Sequence, residues 1–155
     1  EGKEVTWMPS YGPEQRGGTA NVTVILSDER ITSPVLNTYD TAIVLNQPSL
    51  DRFMPLVKPG GTLIYDPASI LTPPLRKDIN VYSIEAMAEA ARMKNGKVFN
   101  MLLLGGLIKV RPIVSVEDVV EGLHRTLPER HHHLIPMNKE AIRHGMEIIR
   151  EENRA

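Results

Sequence analysis

Thirteen consecutive residues, Val98–Val110, constrain this 155-residue chain more than any others. Only Asn100 and Lys109 interrupt the apolar run. It is too short to cross a bilayer, and a helix apolar on nearly every side is one buried inside a folded domain. Gly105-Gly106 in its middle costs such a helix roughly 1 kcal/mol per glycine against alanine. The expected return is close packing against another backbone. The chain is long enough to bury the core that this helix needs, and a single domain over 1–155 is expected.

The elements around it alternate in type. Val5–Met8 reads as a short strand, and Pro9–Gly18 as a loop holding Gly12-Pro13 and Gly17-Gly18. Thr19–Ser27 is the clearest strand, with Val22, Val24 and Leu26 alternating against Asn21, Thr23 and Ile25. Ile25 makes the second side apolar too, so both faces are expected to be covered. Thr41–Leu45 and Thr62–Tyr65 are further buried strands. Between them Gln47-Pro48 opens a helix, with Pro in the first turn where its missing N–H costs nothing. That helix carries Leu50, Phe53, Met54 and Val57 at helical spacing and stops at Pro59-Gly60-Gly61. Asn80–Ile84 gives a fourth strand and Glu85–Lys94 a helix. Ser115–Asp118 is a capping-box variant opening a helix that runs to about Leu127. Pro128–Pro136 reads as a loop, after which Asn138 caps a last helix with Ala141, Ile142, Met146 and Ile149 on one face. Strand, helix and strand followed by helices predict a three-layer α/β/α fold with a mostly parallel central sheet, open to a mixed one, and a helical C-terminal half.

Composition removes several functions. Eighteen basic side chains against nineteen acidic ones leave a net charge of −1 with no local basic cluster, which removes the footprint of a nucleic-acid binder. With no cysteine the chain offers no disulfide, no thiolate nucleophile and no iron–sulfur ligand. No signal peptide or lipidation signal is seen, and no membrane partner is expected. Gly2, just ahead of a strand, suits the residue after a helix end, so the sequence is expected to start part-way through a larger protein.

Three places could carry chemistry. Ser10–Thr19 concentrates glycines, which let a backbone approach a ligand, with Arg16, which can grip a phosphate or carboxylate. It matches neither a Walker loop nor a dinucleotide fingerprint, and a plain surface turn is the competing reading. His131-His132-His133 could offer two ligands to one metal, or could serve as a hydrogen-bonded or partner-facing loop. Asp66 and Asn46, at the carboxyl ends of strands, stand where open α/β sheets contact ligands, or where a cap is needed. No catalytic triad, H-E-x-x-H motif or paired carboxylates can be read.

Four blocks then take on a shared meaning: Ser10-Tyr11-Gly12-Pro13-Glu14-Gln15-Arg16-Gly17-Gly18, Ser27-Asp28-Glu29-Arg30-Ile31 with Ser33-Pro34, Ala42–Gln47, and Lys58–Asp66. Their order and spacing resemble the gamma subunit of 2-oxoacid:ferredoxin oxidoreductases. Asn100–Gly106 and Leu127–Ile142 are similar to the branch acting on 2-oxoglutarate or related acids. In one respect the chain departs from the family, whose members open with a strand, a glycine-rich turn and a helix that would all precede Glu1. The resemblance implies oxidative decarboxylation of a 2-oxoacid with coenzyme A, giving acyl-CoA, carbon dioxide and reduced ferredoxin. It implies thiamine diphosphate, Mg and iron–sulfur clusters in partner chains of alpha, beta and delta type, none held by this chain alone, and a cytoplasmic location. The cofactor-facing residues it implies are Tyr11, Glu14, Arg16, Gly17 and Gly18, with no catalytic residue and no metal ligand. The beta-subunit domain of indolepyruvate oxidoreductase, a purely structural assembly subunit, and a free-standing small-molecule-binding module are the alternatives.

Overall fold

The computed structural model describes residues 2–12 and 20–155. The chain divides into two compact units, Glu1–Asn37 and Thr38–Ala155.

The first unit is a two-stranded antiparallel ribbon of β1 (Glu4–Tyr11) and β2 (Ala20–Ser27), in a register that sets Val5 opposite Leu26, Trp7 opposite Val24, Pro9 opposite Val22 and Tyr11 opposite Ala20. Two expectations change here. The strand β1 runs past Pro9 to Tyr11, where a loop was expected; proline is tolerated because β1 is an edge strand. The apolar side of β2 is also not covered: Val22, Val24 and Leu26 are exposed. Among the described residues β2 pairs with β1 in a sheet of two strands, so period-two alternation gathers the apolar side chains on one face that no second layer closes.

The second unit is built on a four-stranded sheet in the order β3 (Tyr39–Val44), β4 (Val57–Tyr65), β5 (Asn80–Ser83), β6 (Arg150–Asn153). The first three strands are parallel and β6 is antiparallel to β5, so the sheet is mixed and mostly parallel. Helix α1 (Gln47–Phe53) links β3 to β4, with Pro48 in its first turn as expected. The chain leaves the helix earlier than the sequence suggests. A short 3-10 turn covers Met54–Leu56, and Val57 already begins β4. Gly60, at φ 75°, takes the left-handed conformation that lets the Pro-Gly-Gly stretch stay within the strand.

Alternate residues of the central strands feed two cores. Leu63, Tyr65 and Val81 pack with Val44, Leu50 and Val57 on the α1 side. Ile64 faces the other way and packs with Ile84 and the helices α2 (Ala86–Arg92) and α3 (Phe99–Val110). The layers are thus α1, sheet, and the remaining helices, as the α/β/α expectation had it. A capping box of Ser115 and Asp118 opens α4 (Val116–Thr126). The stretch read as a loop instead forms a 3-10 turn over Glu129–Leu134 and then α5 (Ile135–Ile148). Asn138 therefore lies inside α5 and caps nothing, because Pro136 fits the first helical turn as readily as it fits a loop.

The buried helix α3 finds the backbone contact that its glycines predict. A Cβ on Gly105 would meet the Ile142 carbonyl oxygen of α5 at 2.0 Å, and one on Gly145 of α5 would meet the Leu102 carbonyl oxygen of α3 at 2.0 Å. The helices cross glycine to backbone, reciprocally. Gly106 differs in facing the side chains of Ile84 and Ile149.

Candidate functional site

The glycine-rich segment joins β1, which ends at Tyr11, to β2, which begins at Ala20, in sequence. Tyr11 closes β1 opposite Ala20 and is 75% exposed, so its phenol is presented rather than packed. Glu14, Arg16, Gly17 and Gly18 lie outside the described residues.

The carboxyl ends of the parallel strands are occupied with structural work. The Asn46 side chain accepts the Ser49 N–H at 2.9 Å and caps α1. Gln47 beside it accepts from the Leu71 and Thr72 N–H groups, each at 2.9 Å, pinning the proline-rich stretch after β4. Asp66 is buried, with one oxygen accepting the Ala68 N–H at 2.9 Å and the other the Met87 N–H at 2.8 Å. It ties the exit of β4 to the first turn of α2. Both residues take the capping alternative of their two readings, since their acceptors are spent on backbone donors.

The histidines are likewise engaged locally. His132 bonds through Nε2 with the Leu127 carbonyl at 2.8 Å and packs edge-on against His124 with ring centroids 5.1 Å apart. Arg130 Nε lies 3.2 Å from His131 Nε2. Among the described residues no group of three or more His, Asp or Glu side chains is placed to hold a metal ion.

Two polar clusters were not singled out in the sequence. Glu89 of α2 is buried, and His144 of α5 meets its Oε1 at 2.7 Å. Arg92 lies against Oε2 as a neighbouring charge rather than as a directed hydrogen bond. The Glu89–His144 contact ties α2 to α5. The other cluster joins Ser83 of β5, which donates to Glu152 of β6, with the buried Tyr65 nearby. Burial, and then the Glu152 carboxylate, push the Tyr65 phenol above its ordinary value, which holds it neutral. Period-two or helical patterning gave no sign of either cluster, because each joins residues far apart in the chain.

The profile of the pyruvate ferredoxin/flavodoxin oxidoreductase family matches residues 1–148. The chain belongs to that family. A ketoisovalerate oxidoreductase subunit VorA of Methanothermobacter marburgensis is 38% identical over 105 residues, which are 68% of this chain and 22% of that protein. A 2-oxoglutarate synthase subunit KorC of the same organism is 32% identical over 125 residues, 77% of this chain and 67% of that protein. The chain spans under a third of the VorA proteins it matches, 22% and 31% of their lengths. Among solved structures, the gamma subunit of a keto/oxoacid ferredoxin oxidoreductase from Geobacter sulfurreducens superposes with a TM-score of 0.77 at 24% identity, covering 95% of this chain and 79% of that one. A 2-oxoglutarate:ferredoxin oxidoreductase from Magnetococcus marinus, solved with 2-oxoglutarate, coenzyme A and succinyl-CoA, gives 0.75 at 22% identity, covering 95% of this chain and 26% of that one. The family expected from the four sequence blocks and the mostly parallel α/β fold are both borne out.

Proposed function

We propose that this chain is the gamma-type component of a thiamine-diphosphate-dependent 2-oxoacid:ferredoxin oxidoreductase. The complex converts a 2-oxoacid and coenzyme A to acyl-CoA and carbon dioxide while reducing ferredoxin, and 2-oxoglutarate is the substrate we assign. The observation that carries the reading is the family match over nearly the whole chain, supported by relatives named as 2-oxoglutarate synthase and ketoisovalerate oxidoreductase subunits. Thiamine diphosphate supplies the carbanion chemistry and the clusters carry the electrons. These 155 residues hold no cysteine and so lack the thiolates that iron–sulfur clusters use; in our reading the clusters and thiamine diphosphate are held outside them, by alpha-, beta- and delta-type components of a cytoplasmic complex.

This chain's own share is to wall the shared cavity. The Ser10–Gly18 segment, with Tyr11, Glu14, Arg16, Gly17 and Gly18, faces that cavity, and Arg16 grips a phosphate of coenzyme A or the substrate carboxylate, oxyanions whose paired oxygens match the planar guanidinium fork. The exposure of Tyr11 at the end of β1 supports this reading, since its phenol is open to a partner.

Arg16→Glu in the assembled complex tests this. The expected outcome is a raised KM for coenzyme A or for the 2-oxoacid, assayed with 2-oxoglutarate and with 3-methyl-2-oxobutanoate. Unchanged KM values would remove the loop from the cavity. Lower recovery of the complex with normal KM would make it a docking element instead.

A further inference from the structure

The corner between α2 and α3 holds a chemically reactive pair. Asn95-Gly96 is the one place in the sequence where glycine follows asparagine; every other asparagine precedes a residue with a side chain. Glycine has no Cβ to hinder its own peptide nitrogen, so that nitrogen can approach the carboxamide carbon of the preceding side chain. The chemistry that follows needs only water. The Gly96 nitrogen bonds to Asn95 Cγ and gives up its proton, the Cγ–Nδ2 bond breaks, and ammonia leaves. Water then opens the resulting succinimide at either carbonyl. One opening gives aspartate, and the other gives isoaspartate, which carries an extra methylene into the main chain.

The fold governs when this can happen. Both ends of the Asn95 carboxamide are engaged. Its Oδ1 accepts the Lys97 N–H at 3.1 Å, capping the 3-10 turn Gly96–Val98, and its Nδ2 donates to Met137 Sδ of α5. Turning Cγ onto the Gly96 nitrogen releases both contacts. Gly96 itself is exposed, so water reaches the pair freely and the barrier that the fold adds is conformational. The product, by contrast, has no room. Lys94 takes a left-handed φ of 52°, and the N–H groups of Lys94 and Asn95 bond back to the Ala91 and Ala90 carbonyls, each at 3.0 Å. Val98 donates to the Asn95 carbonyl at 3.2 Å and is fully buried in the core beneath α2 and α3. A methylene added to the main chain at residue 95 must shift Val98 or break the turn.

We propose that Asn95 is a spontaneous deamidation site, gated by the contact of its carboxamide with Met137 on α5, and that its conversion to isoaspartate loosens the α2–α3 corner. Peptide mapping of the whole chain by mass spectrometry, after incubation at pH 8, follows the acid form of each asparagine, and a protein-isoaspartate methyltransferase counts the isoaspartate. Asn95 should convert ahead of every other asparagine, about tenfold more slowly in the folded chain than in urea. Met137→Leu keeps the apolar bulk but removes the sulfur acceptor; it should raise the folded rate about threefold and leave the rate in urea unchanged. A Cβ on Gly96 would meet nothing within 4 Å, so Gly96→Ala fits the fold, and it should suppress conversion at least tenfold in both states. The converted chain should exchange its Val98 amide faster than the parent. Equal rates in the folded chain and in urea would overturn the gating, as would a wild-type folded rate in Met137→Leu. Another asparagine converting first, full conversion in Gly96→Ala, or a folded chain still amidated at Asn95 when the urea sample is fully converted would overturn the site itself. Unaltered Val98 exchange in the converted chain would overturn the loosening.

Discussion

The reciprocal crossing of α3 and α5 makes one substitution act with opposite sign at two positions. At Gly105 a methyl group would sit 2.0 Å from the Ile142 carbonyl oxygen, about 1.4 Å inside the 3.4 Å at which ordinary contact begins. Neither partner is the free end of a side chain, so the two helices must move apart. Separation loosens the packing of Leu102, Ala141 and Ile142, all fully buried. Overpacking of this kind costs about 3 kcal/mol at the upper end of its usual range, against which alanine returns about 1 kcal/mol of helix propensity. Gly105→Ala should therefore lose about 2 kcal/mol. At Gly122 of α4 an added Cβ meets nothing within 4 Å, so Gly122→Ala should gain about 0.5–1 kcal/mol from propensity alone. Urea unfolding followed by far-ultraviolet circular dichroism measures both on the same scale. Gly145→Ala should resemble Gly105→Ala, and the double variant should cost less than the two together, since one separation of the helices accommodates both methyl groups. Wild-type stability for Gly105→Ala, or strict additivity in the double variant, would refute the close crossing.

Other consequences follow from the polar contacts. Asp66→Ala strips acceptors from the Ala68 and Met87 N–H groups. It should lower stability by about 1–3 kcal/mol, with hydrogen exchange accelerating at Met87 before it does in α3. Asp78 is held below its ordinary carboxylate value by the hydrogen bond from Arg76, which also donates to the Met54 and Val57 carbonyls. The advantage of wild type over Asp78→Asn should be complete above the ordinary value of 3.8 and fade as pH falls through the lower folded-state value, read from urea midpoints at pH 7 and pH 3. Tyr65 shifts the other way, so its neutral form favours the folded state. Wild type should lose stability relative to Tyr65→Phe only as pH climbs past the ordinary phenol value of 10.0, in alkaline thermal melts.

How much of this was legible in the sequence depends on whether the physics was local. The strands β3 to β5, the helices α1 to α4, and the backbone contact at Gly105 could all be read, because apolar periodicity, a proline at a helix start, a capping box and a paid-for glycine are each written within a few residues. The strand β6 could not. Arg150-Glu151-Glu152-Asn153 has no strand pattern, and it is a strand because Asn153 reaches the Ile79 carbonyl at 2.9 Å and Glu152 receives Ser83 across the edge of β5. The start of α5 was missed because proline is ambiguous between a loop and a first helical turn. Asn46 and Asp66 were found as positions but not as roles. A carboxylate at a strand end looks the same in sequence whether it waits for a ligand or caps a turn, and only the Ala68 and Met87 donors decide it.

The ribbon is the instructive case. Its alternation was read correctly, and the inference that both faces must be covered assumed that a chain covers what it makes apolar. Val22, Val24 and Leu26 are exposed together with Trp7. An apolar strand face therefore marks burial somewhere, in the folded unit or in an assembly, and the sequence pattern alone does not say which. Among the described residues six apolar side chains on one face of the ribbon stay exposed, so whatever buries them lies outside those residues.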